Sequence, residues 1–196
     1  MTAIAGVDIA ALADRVKNIL MKPAAEWDKI SGEKPLLPDL FTRYVAILAA
    51  IPALCGFLGS MIFGFSAGGY TVRPSFGIAL EQLVVGYIMA FIGVGICGMA
   101  VEFLAPHFGG KTDRISAFKL AIYSMTASWM SGVFMLLPSV FKILGLLGLY
   151  SIYIFYLGVP KLTTVPADKA GTFTAVVAIV SILVGLVVGL MMMGLR

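Results

Sequence analysis

Charge is what this sequence has least of. Only 12% of its 196 residues are Asp, Glu, Lys or Arg, against about 25% in an ordinary soluble domain. The apolar 60% is gathered in long blocks parted by short charged connections, a distribution that no aqueous core requires. Histidine occurs once, as His107, and cysteine twice, as Cys55 and Cys97, both deep in apolar blocks. Zinc needs several Cys or His at fixed spacing, and a disulfide framework needs Cys pairs in a small polar chain. Neither is expected, and the two cysteines read as small hydrophobes. Also missing are a glycine-rich phosphate loop leading into a helix and a serine or cysteine in a nucleophile motif. No cofactor, no metal, no catalytic residue and no nucleic-acid partner is expected. The first dozen residues carry Asp8 and Asp14 in place of a basic start and a continuous apolar core, so no cleavable signal peptide is expected.

What is present is a succession of spans. Residues 8–21 predict an amphipathic helix, with Ile9, Leu12, Val16, Ile19 and Leu20 on one side and Asp14, Arg15, Lys17 and Asn18 on the other. Asp8 suits its N-cap, and Lys22-Pro23 a stop and restart into a second short helix with Trp27. Helices this short need a surface. The bilayer interface, with Trp27 at headgroup depth, and the protein's own bundle both qualify. Apolar spans are expected at 44–65, 78–103, 118–137, 141–159 and 172–195, each near the roughly 20 residues that cross about 30 Å of hydrocarbon. Pro52 is expected to kink the first, and 66–75 to form a loop. The predicted fold is an all-α integral membrane bundle of five transmembrane helices preceded by an amphipathic interfacial helix. Residues 1–39 make a cytoplasmic N-terminal region and 40–196 the five-span domain. With the N-terminus inside, eleven of the 14 basic residues fall on inner segments, which predicts a cytoplasmic N-terminus and a C-terminus outside the cell membrane.

Several residues invite a role. Glu81 and Glu102 are acids within a span, which are costly and often functional, yet both lie near a span end. They read either as end markers, pairing with Arg73 or Arg114, or as an ion or partner site. Tyr150, Tyr153 and Tyr156, spaced by three, climb one side of the fourth span and suit a packed seam whose hydroxyls find bundle partners. Gly158 and Pro160 are expected to end that helix, and Asp168 and Lys169 to mark the return from water, with Asp168 capping the last helix. Ser181, Gly185 and Gly189 put a small residue at every fourth position, a strip for close helix contact either within the fold, the favoured case, or between subunits. The hydroxyls of Ser124, Thr126, Ser128 and Ser131 are expected to bond their own helix more than to line a path. His107 reads as a loop residue, Lys142 as a snorkelling one, and Met191, Met192 and Met193 as lipid-facing filler.

Three stretches carry a family resemblance: R-V-K-N-I-L-M-K-P-A-A-E-W-D-K-I at 15–30, F-G-G-K at 108–111 leading to I-Y-S at 122–124, and Y-L-G-V-P-K-L at 156–162 followed by V-P-A-D-K-A at 165–170. In that order, with five spans, the chain resembles the bacterial branch of the Yip (Ypt-interacting protein) family. The resemblance implies a compact five-helix membrane domain with a cytoplasmic N-terminus. Eukaryotic relatives are associated with Rab-type small GTPases, membrane traffic and complexes with one another. Their characteristic D-L-Y-G-P stretch is absent here, so a small-GTPase partner is not carried over. The expected function is a non-enzymatic membrane protein of the inner membrane that organises lipid or binds membrane proteins, a second copy included. The alternatives are a small transporter or channel, on the strength of Glu81, Glu102 and the serine-rich third span, and a lipid-acting enzyme using His107, Asp113 and Asp168.

Overall fold

A computed structural model describes residues 8–64, 70–138, 141, 143–188 and 190 in full, and only the backbone path of 3–4, 7, 65–67, 139–140, 142, 189 and 191–194. A two-residue ribbon, β1 (Ala3–Ile4) with β2 (Val7–Asp8), precedes α1 (Ile9–Met21). Asp8 caps α1, its carboxylate accepting from the amides of Ala10 at 3.0 Å and Ala11 at 3.3 Å. Lys22 ends α1, and Pro23, whose missing N–H would be unpaired at a first helical position, opens α2 (Pro23–Gly32). A continuous apolar helix follows over Leu37–Phe63, composed of α3 (Leu37–Leu40), a π turn (Phe41–Val45) and α4 (Ala46–Phe63). The 66–75 connection, expected as a loop, contains a ribbon of β3 (Phe65–Ala67) with β4 (Tyr70–Val72). The Ser75 hydroxyl caps α5 (Phe76–Leu104), which a 3-10 turn extends to Phe108.

The next apolar segment departs from expectation. In place of one helix it is α6 (Arg114–Ser124), α7 (Thr126–Ser131) and a 3-10 stretch (Gly132–Leu136). Side-chain hydroxyls explain the interruption. Thr126 Oγ1 donates to the Tyr123 carbonyl at 2.6 Å and Ser131 Oγ to the Ser128 carbonyl at 2.9 Å, each reaching back three residues. Such bonds compete with the regular i→i−4 ladder. The fourth segment likewise starts as a 3-10 run (Ser139–Leu149) before α8 (Tyr150–Leu162), and α9 (Ala170–Gly194) closes the chain. The protein is therefore an all-α bundle in which four helices among the described residues are long and apolar enough to cross a membrane: Leu37–Phe63, Phe76–Phe108, Ile143–Leu162 and Ala170–Val188.

The interrupted segment is the centre of the bundle. Every residue of α6 from Ala117 to Ser124 is buried. Small residues let neighbours approach it. A Cβ on Gly98 of α5 would lie 3.0 Å from the Phe118 ring, and one on Gly132 would lie 2.5 Å from Pro52. Tyr44, in the π turn, donates to or accepts from Thr126 Oγ1 at 2.7 Å and packs edge-on against Tyr123. The N-terminal helices dock on the bundle with their apolar sides inward: Val16, Ile19, Trp27 and Ile30 all belong to the core. Of the two surfaces open to them on sequence grounds, which can serve together, the bundle receives these apolar side chains.

Candidate functional site

Two places gather the notable chemistry: the docked N-terminal helices and a cavity on the other side of α8. The first is built around Trp27, which is 1% exposed. Its indole N–H donates to the Ile154 carbonyl of α8 at 2.9 Å. Its ring fills the notch left by Gly158, where a Cβ would stand 2.7 Å from Trp27 Cε2 and 2.6 Å from Leu120 Cδ1. Asp28, one residue along α2, accepts from Lys161 Nζ at 2.5 Å. Lys119, 2% exposed, reaches from α6 to the end of α2 and donates to the carbonyls of Ile30 at 2.7 Å and Glu33 at 2.8 Å. A cation on the unpaired carbonyls of a helix C-terminus satisfies both the hydrogen bonds and the helix dipole.

Beside it lies a charged cluster. Arg15 of α1 bonds Glu26 at 2.7 Å and Glu33, and sits 5.7 Å from the centre of the Tyr123 ring, while Lys29 bonds Glu26 at 3.1 Å. Burial works against the Arg15 charge, but the hydrogen bond to Glu33 and the charges of Glu33 and Glu26 outweigh it and hold the guanidinium above its ordinary value. Glu26 is buried, and two cations meet it there, as a buried carboxylate requires. Two connections are clipped together next to this cluster. Lys111 N–H donates to Thr164 Oγ1 at 2.8 Å, Thr164 Oγ1 donates to the Lys111 carbonyl at 3.1 Å, and Thr112 Oγ1 donates to the Leu162 carbonyl at 3.0 Å. Thr164 has a φ of +48°, unusual for a β-branched residue, and the paired bonds to Lys111 hold it there. All of these groups are committed to one another.

The second place is a cavity of about 520 Å³ between the α6–α7 segment, the 3-10 run with α8, and α9. Among the described residues the lining carries no charge; serines and a threonine (Ser124, Ser128, Ser131, Ser151, Ser181 and Thr174) stand among apolar side chains. Most of these hydroxyls are engaged. Ser128 Oγ meets the Gly148 carbonyl and Ser151 Oγ, each at 3.0 Å, and Thr174 Oγ1 donates to the Ala170 carbonyl at 2.8 Å. The buried oxygens of Ser124 and Ser181 have no partner of hydrogen-bonding geometry, Ser181 having only the weakly bonding Cys97 thiol at hand.

The residues singled out on sequence grounds scatter around these two places. Gly158 belongs to the Trp27 notch, and with Pro160 it lies within α8 instead of ending it. The helix stops at Leu162, where the amide and the hydroxyl of Thr163 both donate to the Val159 carbonyl, at 2.9 and 2.7 Å. The rings of Tyr150 and Tyr153 lie 5.5 Å apart at a tilt; Tyr150 is partly buried against the core, whereas Tyr153 is 50% exposed and Tyr156 41%, so those two face outward. The packed seam of α8 is Ile154, Phe155, Gly158, Val159 and Leu162. Glu81 is exposed in the first turns of α5, and Glu102 pairs with Arg114 at 4.0 Å. The carboxylate of Asp168 is exposed one residue ahead of Lys169, whose carbonyl accepts the first α9 bond from Phe173 at 2.9 Å. Asp113 caps α6, accepting from the Ser116 amide at 2.6 Å, and hydrogen bonding to Ser116, first through its side chain and then through its amide, holds the carboxyl below the usual range. A Cβ on Gly185 would meet nothing within 4 Å, which removes it from any seat within the fold. The surroundings of Gly189, Lys142 and Met191 to Met193 lie outside the described residues. Sequence reasoning missed Lys119, whose signal was a lone cation in an apolar run. It also missed the unpaired hydroxyls of Ser124 and Ser181, for which the sequence carries no signal.

The model of the Yip1 domain matches residues 17–189. The chain is 27% identical over 175 residues to the inner membrane protein YohC of Escherichia coli strain K12, covering 86% of this chain and 89% of the relative. The same figures hold for YohC of Escherichia coli O6:H1. No solved structure matches the chain. The matched region takes in the docked α2, the central α6 and the described lining of the cavity, and both relatives are named as inner membrane proteins. With four apolar helices of spanning length, the chain is a multi-pass membrane protein and belongs to the Yip1-domain family.

Proposed function

We propose that this protein is a five-crossing scaffold of the inner membrane that organises membrane proteins, a second copy of itself among them, through the outer face of α9. The supporting observation is Gly185. It leaves a notch with nothing within 4 Å, and the exposed Ile182 stands one turn before it on the same face. Hydrocarbon offers little drive for helix association beyond close packing, and a small residue on an outer face supplies the space for it. The interrupted segment 114–136 is the additional crossing. Its start lies beside the end of α8 through the Thr112–Leu162 bond, and its 3-10 end packs on Gly59 of α4, where a Cβ would sit 2.0 Å from the Met135 carbonyl. On this reading α2, the α5–α6 turn and the α8–α9 turn share the basic side, which the positive-inside rule makes cytoplasmic, and the chain's last residues fall on the other side.

The transporter reading has less support: Glu102 pairs with Arg114 near the end of α5, and the described residues of the cavity lining are uncharged. The D-L-Y-G-P stretch of the eukaryotic relatives is absent from this sequence, so a small-GTPase partner is not part of the proposal. Gly185→Leu tests the proposal. Wild-type protein in lipid nanodiscs is expected to show a dimer by mass measurement, and the variant a monomer of unchanged thermal stability. A wild-type monomer, or a dimer indifferent to the substitution, would refute an α9 contact.

A further inference from the structure

The exposed Ile152, Tyr153 and Tyr156 of α8, continued by Leu149, make a stripe from the charged end of the bundle to the mouth of the cavity. Contacts fix its depth. A Cβ on Gly171, in the first turn of α9 and two residues after the exposed Lys169, would lie 4.0 Å from the Tyr156 ring. Elsewhere on α8, Trp27 bonds the Ile154 carbonyl and Lys161 bonds Asp28. Tyr156 therefore stands at the polar boundary, and Leu149, seven residues earlier, lies about 10 Å further into hydrocarbon. The cavity starts at the same boundary: its lining includes Phe155, next to Tyr156, and Ser124, next to the Tyr123 ring under Arg15. Along α9 it runs from Thr174 to Ile182, a rise of about 12 Å, and the exposed Leu149, Ile152 and Ile182 rim its opening.

We infer that the cavity holds one acyl chain of a phospholipid from the leaflet on the charged side, with the lipid's ester and phosphate groups against the hydroxyls of Tyr153 and Tyr156. The wall suits hydrocarbon. Its described residues are uncharged, the hydroxyls of Ser128, Ser151 and Thr174 bond within the protein, and the oxygens of Ser124 and Ser181 are buried. An occupant there needs no polar group, and a charged one would be costly to bring in. Size selects a chain over a helix. Spread over about 12 Å, the cavity of about 520 Å³ has a cross-section of about 40 Å², half the roughly 80 Å² of a helix about 10 Å across. Polarity then selects the kind of chain. The stripe turns from aliphatic to phenolic at the boundary where a phospholipid turns from chain to headgroup, and tyrosine is a residue of that interface. The inference does not rest on the α9 contact, because Ala178 lines the cavity whereas Gly185 is not among its described lining.

The probe is phosphatidylethanolamine with a diazirine midway along one chain, present at increasing fraction in nanodiscs that hold the full-length protein. Adducts formed on irradiation are mapped by mass spectrometry of peptides. No residue of 124–132 is exposed, so adducts there report a chain inside the cavity, while Ile78 and Val84 on α5 report bulk lipid. Labelling of 124–132 is expected to saturate with probe fraction, and labelling of α5 to rise in proportion to it. Tyr153→Ala with Tyr156→Ala removes two exposed side chains and leaves the core intact. At limiting probe it is expected to lower the yield in 124–132 about five-fold or more, with α5 unchanged. Ala178→Phe, which fills the cavity from α9, is expected to abolish the saturable yield. Absence of adducts in 124–132 of the wild type would overturn the inference, as would a yield there that never saturates. Saturable labelling that survives Ala178→Phe would overturn it by placing the chain elsewhere. A yield indifferent to the tyrosine pair, and matched by a fatty acid carrying the same diazirine, would overturn the phospholipid as occupant.

Discussion

Gly158→Ala isolates the contact that holds the N-terminal helices to the membrane bundle. Replacing an exposed helical glycine by alanine ordinarily stabilises by about 0.5–1 kcal/mol, because alanine has less backbone freedom to lose. At Gly158 the new methyl would stand 2.6 Å from Leu120 Cδ1 and 2.7–2.8 Å from Trp27 Cε2 and Cζ2. The indole cannot retreat without lengthening its 2.9 Å bond to the Ile154 carbonyl. Overpacking of a tight core costs about 1–3 kcal/mol, so the propensity gain is outweighed and a net loss of about 1–2 kcal/mol is expected. Gly86→Ala on α5, where a Cβ meets nothing within 4 Å, keeps only the gain. Both variants can be melted in nanodiscs and followed by the fluorescence of the two tryptophans. The expected result is a lower Tm for Gly158→Ala and an equal or higher one for Gly86→Ala. Equal shifts in the two would show that the Trp27 notch does not discriminate by space, and the docking account would fail with it.

Lys119→Met should leave the last carbonyls of α2 short of their donor, at a cost of about 1–3 kcal/mol, with hydrogen exchange in α2 accelerating ahead of the rest of the chain; unchanged exchange would deny the cap. Asp113→Ala should lower stability by about 1 kcal/mol at neutral pH, as loss of an N-cap does, and Asp168→Ala by distinctly less. Since the folded pKa of Asp113 is lowered, its contribution is complete above the unfolded value of about 3.9 and is lost as pH falls through the folded one. The difference between wild type and Asp113→Ala should therefore shrink below about pH 4, and a difference that grew there would reverse the assignment.

The helix starts were legible wherever a local chemical signal sets them. Asp8 caps α1 and Pro23 opens α2 as their residue types dictate. The long apolar helices were legible from hydropathy alone. What escaped was decided by groups distant in sequence or by single hydroxyls. Hydropathy treats residues 118–137 as one block, and it does not register that Thr126 and Ser131 take carbonyls away from the helix ladder. A spacing of three places Tyr150, Tyr153 and Tyr156 on one side of a helix but does not say whether that side meets protein or lipid. The neighbours decide it, and Trp27 claims the opposite side through Gly158. Asp113 and Asp168 have the same local look, an acid shortly before an apolar helix. The choice between them rests on the 2.6 Å bond to Ser116, visible only once the backbone is placed. Lys119 resembles a snorkelling lysine until the carbonyls of Ile30 and Glu33, more than eighty residues earlier, are seen around its amine.

The central claim is that the interrupted segment 114–136 crosses the membrane as a fifth span. Parity tests it most directly, because five crossings put the two ends of the chain on opposite sides and four put them on the same side. A reporter active only in the cytoplasm, fused in separate strains to the N-terminus and to the C-terminus, reads that parity. The account predicts activity from the N-terminal fusion and none from the C-terminal one, with both proteins present in equal amounts. Activity from both fusions would contradict it, leaving four crossings and an interrupted segment that enters the bundle and returns.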